Sequence, residues 1–565
     1  MAPGGRMTRH AWLVAGVLAT STLVASLAFA RPLARATVRT RAGLVAGVRY
    51  GDPAIGWRFL GIPYAMPPTG ARRWTAPRPP AAWRGVRPAE AFGAACPQRP
   101  QAIATYASLV ALNSTLPGRG YFKPFRVDED CLYLNVWTAE LTPKTPAPVI
   151  VYVHGGGNVE GAAQTESIGH TFVPHGVTVV SLNYRLGALG FLAHPALSAE
   201  SPRHVSGNYA LLDMIAALDW VQANIAAFGG DPQQVTLMGE SAGASDIYML
   251  LASPLVRGKI RRAILQSGSA GIDVLPSLRR RAPFTGGSGS AEDDGLALAH
   301  DLGIEDGPDA LDQLRALPAL EVLAAEGRNP ALQAIGPNVD GWVLPQQPGT
   351  AFVAGSQLHV PILVGSNTNE ARMFRDGPQS REELEGQAKM MLHDGARDAL
   401  ALHPLSEGAP VAQAFEALTE AVGAAGGHWV AAQMREIGVP ACYYHFSYPA
   451  KGERAAWGAY HWLELLFLGG EFVPERWGEA TPADLAFANT LIGIWTRFVK
   501  SGDPGAPGLP PWDCRAPGAT EAYELGVHLG PIPTPRLKEA LTMEAILRTN
   551  LTKADAARRD GSPAR

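Results

Sequence analysis

The stretch V-T-L-M-G-E-S-A-G, residues 235–243, decides the fold. Its first four residues are short, mostly apolar and partly β-branched, which predicts a buried strand. The following G-E-S-A-G is the only G-x-S-x-G in the sequence, and its small residues let a strand turn sharply into a helix. The hydroxyl of Ser241 would then stand clear of the backbone, where it can attack a carbonyl once a base removes its proton. Taken alone, the motif is also compatible with a glycine-rich turn that happens to contain serine.

Strands and helices alternate along the chain on both sides of this stretch. The helix-compatible A-S-D-I-Y-M-L-L follows Ser241 directly, and further helices are predicted over residues 208–225 and over residues 482–500 with Thr481 as N-cap. Apolar segments predict a hairpin at 38–48 and strands at 148–153, 177–182, 260–265, 360–365 and 441–448. Residues 58–74 carry many Pro and Gly residues, which predicts irregular surface structure. The alternation predicts an α/β fold whose mostly parallel sheet has helices on both faces.

Composition and the N-terminus indicate an exported globular protein. The 565 residues have a net charge of −3 and no basic stripe, so nucleic acid is not an expected partner. Residues 1–30 have the basic start, apolar stretch and A-F-A ending of a signal peptide cleaved near Ala30; an uncleaved membrane anchor is the alternative. We expect a secreted or periplasmic protein in which residues 31–565 form one domain, without stable membrane association after cleavage.

A second glycine-rich turn follows the strand predicted at residues 148–153. It reads H-G-G-G-N, residues 154–158. Consecutive glycines let backbone N–H groups approach a substrate oxygen, and such donors stabilise the oxyanion that forms when serine attacks a carbonyl. Glycine-rich turns are common, but this one together with G-E-S-A-G points to that chemistry.

More motifs occur in a fixed order along the chain: F-L-G-I-P-Y-A, E-D-C-L-Y-L-N, N-Y-R-L-G, G-N-Y-A-L-L-D, F-G-G-D-P-Q-Q-V, N-V-D-G and G-A-Y-H. With the two glycine-rich motifs they resemble the type-B carboxylesterase and cholinesterase family of the α/β-hydrolase fold. The resemblance implies a helical cap region, shorter than in the cholinesterases. It also implies specific site residues: Ser241 as nucleophile, Glu370 as acid, His461 as base, and the N–H groups of Gly156, Gly157 and Ala242 as oxyanion hole.

The residues themselves agree with this assignment, because the order Ser, acid, His is that of α/β-hydrolases. His461 follows a Gly-led segment just past a predicted strand, whereas His445 lies inside that strand and is more typical of a packed residue. Two acids compete with Glu370. Asp340 precedes a glycine and favours an Asx turn, and Glu464 is expected to orient the loop around His461.

The resemblance extends to residues around the site. It suggests that Glu240 is a buried carboxylate lining the site; next to the nucleophile on a tight turn, it points away and cannot hold the histidine from behind. Asn158 stands where the family commonly has a bulky apolar residue, so it would make the pocket wall more polar. Two ion pairs are also implied, Arg185–Asp213 and Arg73–Glu129.

The chain has four cysteines, Cys96, Cys131, Cys442 and Cys514. Arithmetic allows three full pairings of four cysteines, and an exported protein can keep disulfides. Metal-ligand spacing is absent, so no metal site is expected. We expect Cys96 to pair with Cys131 and to close a surface loop over the site entrance. We expect Cys442, in a predicted buried strand, to be a free thiol, and the sequence leaves the state of Cys514 open.

The sequence therefore predicts a serine carboxylesterase that hydrolyses a small-molecule ester through an acyl-enzyme and needs no cofactor. One alternative is a catalytically inactive binding protein with the same fold. Another is the same triad acting on amide, carbamate or lactone bonds. The complete set of serine, acid, histidine and glycines favours an enzyme.

Overall fold

The computed structural model describes residues 34–51, 53–100, 126–164, 167–268, 274–280, 289–328, 335–373, 378–402, 410–469, 472, 477–518 and 520–559. The predicted signal peptide, residues 1–30, lies outside these ranges. So do residues 101–125, between the first two cysteines.

One mixed sheet runs through the described part of the molecule. Its strands are β1 (Arg35–Arg39), β2 (Leu44–Tyr50), β3 (Gly56–Pro63), β4 (Val86–Pro88), β5 (Tyr133–Thr138), β6 (Ala147–Val153), β7 (Thr178–Leu182), β8 (Gly230–Glu240), β9 (Arg262–Gln266), β10 (Ile362–Asn367), β11 (Ala441–Phe446), β12 (Glu521–Leu525) and β13 (Leu529–Pro533). Their order is β1-β2-β3-β5-β7-β6-β8-β9-β10-β11-β12-β13, with β4 beside β2. From β7 to β12 in this order all neighbours are parallel. The predicted mostly parallel sheet is confirmed.

Strand β6 shows why both faces of the sheet are covered. Successive side chains of a strand point to opposite faces. Val149, Val151 and Val153 belong to one apolar cluster, and Ile150 and Tyr152 belong to another on the opposite face. All five are buried. A strand that is apolar at nearly every position therefore marks the middle of a sheet with helices on both sides.

Helices cover both faces. They are α1 (Ser167–Phe172), α2 (Gly187–Phe191), α3 (Pro195–Glu200), α4 (Tyr209–Asn224), α5 (Ala242–Ala252), α6 (Ala291–Asp301), α7 (Ala310–Ala316), α8 (Ala319–Arg328), α9 (Pro348–Val353), α10 (Arg381–Leu392), α11 (Ala396–Ala401), α12 (Val411–Glu436), α13 (Leu463–Gly469), α14 (Pro482–Ser501) and α15 (Leu537–Arg559). Helices α4, α5 and α12 contribute to the first apolar cluster, and α1, α13 and α14 to the second. Helices α10, α11, α12 and α15 enclose a further cluster of their own.

The predicted elements are confirmed with boundaries shifted by a few residues, except at residues 58–74. Their first part belongs to β3, which pairs with β2 and β5. Its register with β5 shifts between Phe59 and Ile62, and Gly61 there has a φ of 69°. A glycine-centred bulge keeps the strand in the sheet. The same Gly and Pro residues make the segment look like a loop in the sequence.

Helix α4 runs on into a short 3₁₀ turn. The combined stretch Tyr209–Phe228 is the one helical segment, among the described residues, that is long and apolar enough to cross a membrane. Most of it is buried within the protein. A buried core helix of a folded protein can be equally long and apolar, and α4 packs as such a helix.

Both predicted ion pairs are present and bidentate. The Arg185 guanidinium donates to Asp213 from Nε (2.8 Å) and Nη2 (2.7 Å), and the Asp213 side chain is 0% exposed. The Arg73 guanidinium donates to Glu129 from Nε (2.7 Å) and Nη2 (2.5 Å). The first pair fixes helix α4 to the segment after β7, next to the sheet edge where the site lies.

The cysteines form two disulfides. Cys96 is bonded to Cys131, as expected. The prediction of a free thiol at Cys442 is wrong, because Cys442 is bonded to Cys514. Cys442 does lie in a buried strand, but the segment before β12 runs alongside it and Ala441 donates a backbone hydrogen bond to Cys514 at 2.7 Å. The parallel pairing of β11 with β12 thus brings together two residues that are distant in sequence.

Candidate active site

The strand order reverses between β6 and β8. From β6 the chain adds β7 on one side, and it then crosses over to add β8 on the other. In open α/β sheets, the carboxyl ends of the strands at such a reversal leave a crevice in which ligands bind. His154 directly follows β6, and Ser241 directly follows β8. The sheet therefore brings both glycine-rich motifs to this crevice.

Ser241 occupies a sharp turn between β8 and α5. Its φ of 55° and ψ of −125° form a combination that residues other than glycine rarely adopt. Its backbone N–H donates to the oxygen of Gln266, the last residue of β9, at 2.8 Å. This bond holds the turn at the sheet edge in the strand–turn–helix geometry that G-x-S-x-G predicts.

Two glycines allow the motifs to touch each other. A Cβ atom on Gly155 would lie 2.7 Å from the backbone oxygen of Glu240 and 3.0 Å from Ser241 Cβ. A Cβ atom on Gly243 would lie 2.3 Å from the backbone oxygen of Val153. A side chain at either position would push the turn after β6 away from the turn after β8.

The N–H groups assigned to the oxyanion hole are available for a ligand. Within the described ranges, no protein atom accepts a hydrogen bond from the backbone N–H of Gly156, Gly157 or Ala242. Ala242 is the first residue of α5, so its N–H is among those that the helix leaves unsatisfied at its positive end. Donors held in place before the reaction are suited to stabilising an oxyanion.

Glu370 and His461 lie together beyond the ends of β10 and β11. Glu370 begins a short 3₁₀ turn three residues after Asn367, which ends β10. The loop that carries His461 pairs with this turn through a bridge between Asn369 and Tyr460. His461 Nδ1 is hydrogen-bonded to Glu370 Oε2, and both side chains are buried. A carboxylate at Nδ1 fixes the imidazole tautomer and leaves Nε2 for the reacting proton.

The Nε2 atom of His461 also has an acidic neighbour. Glu240 Oε1 lies 3.1 Å from it, and the Glu240 side chain is buried. Within the described part of the chain, Ser241 Oγ makes no hydrogen bond. Glu240 thus does not support the imidazole from behind, in agreement with the sequence. Its contact with Nε2 was missed, although its place beside Ser241 on a tight turn was the available signal.

The pKa values in this cluster are strongly shifted. Burial lowers the pKa of His461, but the charges of Glu240 and Glu370 raise it and prevail. Burial raises the pKa of Glu240 well above its usual value, although the charge of His461 opposes this. Burial also raises the pKa of Glu370, but the charge and hydrogen bond of His461 outweigh it, and the net direction is downward. Glu240 and His461 therefore both hold their protons more tightly than isolated groups of their kind do.

Asn367 connects the carboxylates of the site. Its backbone N–H donates to Glu370 Oε1 and its Nδ2 to Glu464 Oε2, both at 2.6 Å. Glu464 also accepts from Gln266 Nε2 at 3.3 Å, and burial raises the pKa of Glu464 to about 7. These bonds are consistent with the loop-orienting role expected of Glu464. Sequence reasoning missed Asn367, because one polar residue at the end of a strand carries no distinct signal.

Three buried glutamates, Glu240, Glu370 and Glu464, lie around His461. Glu240, Glu370 and Glu464 are of a residue type that binds metal ions. In the part of the chain that the structure describes, however, no group of three or more His, Cys, Asp or Glu side chains is placed to hold one. The positive group that these acids face is the His461 imidazole.

The other candidate acid, Asp340, and the other candidate histidine, His445, form local hydrogen bonds instead. Asp340 Oδ1 accepts hydrogen bonds from the N–H groups of Trp342 (2.9 Å) and Leu344 (3.0 Å), which form the expected Asx turn. His445 lies within β11, and its Nε2 is 2.9 Å from Thr368 Oγ1. Burial lowers the pKa of His445 to about 4, so it is neutral at physiological pH.

Asn158 follows the glycines with a φ of 61°. Its Nδ2 donates to Asp246 Oδ1 at 3.0 Å, and its backbone oxygen accepts from Gly187 N–H at 2.7 Å. Burial raises the pKa of Asp246 to about 7, while the bond from Asn158 lowers it. The polar pocket wall expected at Asn158 stays a prediction. Asp246 was missed, because a single acid on an apolar helix has no motif around it.

Comparison with known proteins gives one consistent family. The family model described as "Carboxylesterase family" matches residues 34–529. The chain is 36% identical over 477 residues to fumonisin B1 esterase of Sphingopyxis macrogoltabida, and the match covers 82% of each chain. It is 34% identical over 468 residues to para-nitrobenzyl esterase of Bacillus subtilis strain 168, covering 79% of this chain and 86% of that relative.

Solved structures agree with the sequence relatives. Two structures of PNB esterase superpose with TM-scores of 0.73 and 0.74 at 29% identity. Each covers 90% of this chain and 99% of the other. The fold is therefore the α/β-hydrolase fold, and the chain is a carboxylic-ester hydrolase that belongs to the carboxylesterase family.

Proposed function

We propose that this protein is an exported serine carboxylesterase that works through a Ser-His-Glu triad. Ser241 is the nucleophile, His461 the general base and Glu370 the acid that orients it. The observation that carries the proposal is the hydrogen bond from His461 Nδ1 to Glu370, at the sheet edge where Ser241 holds its strained turn. Family membership supports the ester as the bond that is cleaved.

The reaction begins when Ser241 Oγ attacks the ester carbonyl carbon and His461 Nε2 takes the hydroxyl proton. The carbonyl oxygen becomes negative and accepts hydrogen bonds from the N–H groups of Gly156, Gly157 and Ala242. Collapse of this intermediate breaks the bond to the alcohol oxygen, which receives the proton from Nε2. Water then attacks the acyl-enzyme by the same route, and the acid leaves.

Glu240 adds a step before attack. Its carboxylate occupies the Nε2 side of the imidazole at 3.1 Å. Nε2 therefore has to exchange Glu240 for Ser241 as its partner, through a small movement of either side chain. Once His461 is protonated in the transition state, the buried charge of Glu240 beside it is favourable.

Export is the second part of the proposal. Two disulfides are typical of proteins that work in an oxidising compartment. Together with the signal-like residues 1–30, they support cleavage near Ala30 and a secreted or periplasmic enzyme. The continuous sheet supports one catalytic domain over residues 31–565.

The relatives suggest which substrates to try first. One is named for fumonisin B1 and the other for para-nitrobenzyl esters. We propose a small-molecule ester as the substrate. A panel of p-nitrophenyl esters from acetate upward, together with a para-nitrobenzyl ester and fumonisin B1, would establish the preferred acyl and alcohol groups.

Substitution of the triad tests the mechanism. Ser241→Ala is expected to lower kcat by about 10⁶, and His461→Ala by nearly as much, because the two act as a unit. Glu370→Gln is expected to cost about 10⁴, since the amide no longer sets the tautomer. Asp340→Asn is the matched control and is expected to keep its activity. If folded Ser241→Ala hydrolyses p-nitrophenyl acetate at the wild-type rate, the mechanism is wrong.

A further inference from the structure

Asp246 is a buried acid for which the proposed mechanism has no role. It lies on α5 with 0% of its surface exposed. Within the described residues its one hydrogen bond comes from Asn158 Nδ2, and its Oδ2 atom has no partner. The Oδ1 atom of Asn158 is also buried without a partner there. Burying a carboxylic group with so few hydrogen bonds costs free energy, so stability does not account for this pair.

The position of Asp246 on its helix connects it to the oxyanion hole. Helix α5 begins at Ala242, whose N–H is one of the three proposed donors. Asp246 is four residues further on, and residues i and i+4 lie on the same side of a helix, one turn apart. The Asp246 carboxylate is therefore fixed by a rigid helix relative to the Ala242 donor.

The partner of Asp246 lies on the segment that supplies the other two donors. Asn158 directly follows Gly156 and Gly157. The N–H groups of Val159 and Glu160 both donate to the oxygen of Gly156, at 3.1 and 3.0 Å, which closes this segment into a tight turn. Any movement of Asn158 is therefore transmitted to the two glycines.

We propose that Asp246 is a positioning residue for the oxyanion hole: through Asn158 it holds the N–H groups of Gly156 and Gly157 in place relative to that of Ala242. The inference rests on the proposed serine-esterase function and deepens it. The three donors come from two segments that are distant in sequence, and the Asn158–Asp246 hydrogen bond joins one segment to the other.

The expected effect follows from how oxyanion holes work. Donors help only when they are held close to the position that the oxyanion will occupy. Without the bond to Asp246, the turn of Asn158 keeps its backbone bond to Gly187 but loses its side-chain hydrogen bond to α5. The N–H groups of Gly156 and Gly157 would then spend less time in the position where they can bind the oxyanion. Transition-state stabilisation falls, and binding of the uncharged substrate stays nearly the same.

Variants at both ends of the hydrogen bond test the proposal. Asp246→Ala and Asn158→Gly are each expected to lower kcat for p-nitrophenyl acetate by about 10- to 100-fold with little change in KM, somewhat less than the loss of one oxyanion donor. Glycine replaces Asn158 because alanine would be strained at its φ of 61°. The affinity for a trifluoromethyl ketone, which forms an oxyanion on Ser241, should fall by the same factor. The affinity for the matching secondary alcohol should not change. The double variant should be no worse than the poorer single variant, because both remove one interaction.

Conservative and distant substitutions complete the experiment. Asp246→Asn keeps an acceptor for Asn158 and is expected to recover most of the lost kcat. Asp294→Asn, at another buried acid whose pKa burial raises, on helix α6, is the matched control and should leave kcat unchanged. If Asp246→Ala does not fold, Asn158→Gly, at a half-buried loop position whose φ of 61° suits glycine, carries the test.

Two results would overturn the proposal. One is folded variants with a lower Tm but unchanged kcat and ketone affinity, which would mean that the pair only packs. The other is additive losses in the double variant, which would mean that the two residues act separately. Failure of the triad itself is distinguished by Ser241→Ala, which would retain activity in that case whatever the Asp246 variants do.

Discussion

Ser241 combines its proposed role as nucleophile with an unfavourable backbone conformation. Its φ of 55° and ψ of −125° suit glycine, which has no Cβ to collide with the backbone. We expect Ser241→Gly to abolish hydrolysis and yet raise the free energy of unfolding by about 1–3 kcal/mol, the usual cost of such a conformation. Denaturant unfolding would measure this difference.

Ser245→Gly is the matched control for this prediction. Ser245 lies inside α5, where replacing serine by glycine is expected to lower the free energy of unfolding by about 0.5 kcal/mol. Opposite signs for the two variants would establish that the turn is strained. A Ser241→Gly protein no more stable than the wild type would contradict it.

Glu240 should set the pH dependence of the enzyme. As the proposed general base, His461 accepts a proton only when Nε2 is deprotonated, so kcat/KM is expected to rise with pH through the pKa of His461. The charge of Glu240 raises that pKa. Glu240→Gln removes the charge, so the acidic limb of the kcat/KM profile is expected to move to lower pH. A limb that stays in place or moves upward would contradict this, and Asp340→Asn serves as the variant whose limb should not move.

At the residue scale, the sequence was most informative where a motif restricts the backbone. The G-x-S-x-G and H-G-G-G motifs predicted the two turns, because only small residues permit the close approach seen at Gly155 and Gly243. The contact of Glu240 with Nε2 and the bonds of Asn367 depend on side-chain directions across the sheet edge. No local pattern encodes those directions.

Of the contacts between elements, the Arg185–Asp213 ion pair is the one whose loss is expected to lower stability most. Asp213 on α4 is 0% exposed and accepts hydrogen bonds from Nε and Nη2 of the Arg185 guanidinium. Asp213→Ala leaves a buried positive charge without its partner and is expected to lower the free energy of unfolding by about 3–5 kcal/mol. Calorimetry or urea unfolding would measure this loss of unfolding free energy.

The exposed pair Arg35–Glu90 offers the comparison. Its side chains are 68% and 34% exposed, and it joins β1 to the segment after β4. Glu90→Ala is expected to change the free energy of unfolding by less than about 1 kcal/mol, because water screens such pairs. Equal losses of unfolding free energy in Asp213→Ala and Glu90→Ala would mean that burial of Asp213 does not strengthen its ion pair.

Strands and helices could be predicted where the apolar residues within the element itself indicate its type. The strands of the parallel centre are apolar at nearly every position, and α14 carries its own capping box at Thr481 and Asp484. Strand β3 was missed because its bulge requires the glycine that suggests a loop. Where each strand pairs is a long-range property, and it alone decides that Cys514 meets Cys442.

For the molecule as a whole, the two disulfides add covalent constraints to a large sheet. The Cys442–Cys514 bond closes a loop with a sequence separation of 72. A loop of this length corresponds to about 4 kcal/mol in the chain-entropy model. We expect the double variant Cys442→Ala/Cys514→Ala to lose stability of this order in denaturant unfolding. A reductant should lower the Tm of the wild type but not that of a variant in which all four cysteines are alanine, and equal stability of all forms would contradict the prediction.

The Cys442–Cys514 bond has a second consequence, for proteolysis. The ring that it closes contains His461 and the turn Gly452–Trp457, in which no residue is buried. A protease that cuts this exposed turn would leave Ser241 and Glu370 on one fragment and His461 on the other. The disulfide would still hold the fragments together, and the pairing of β11 with β12 would keep them in register. A nicked, two-chain form of the enzyme would therefore retain every group of the proposed triad until the bond is reduced.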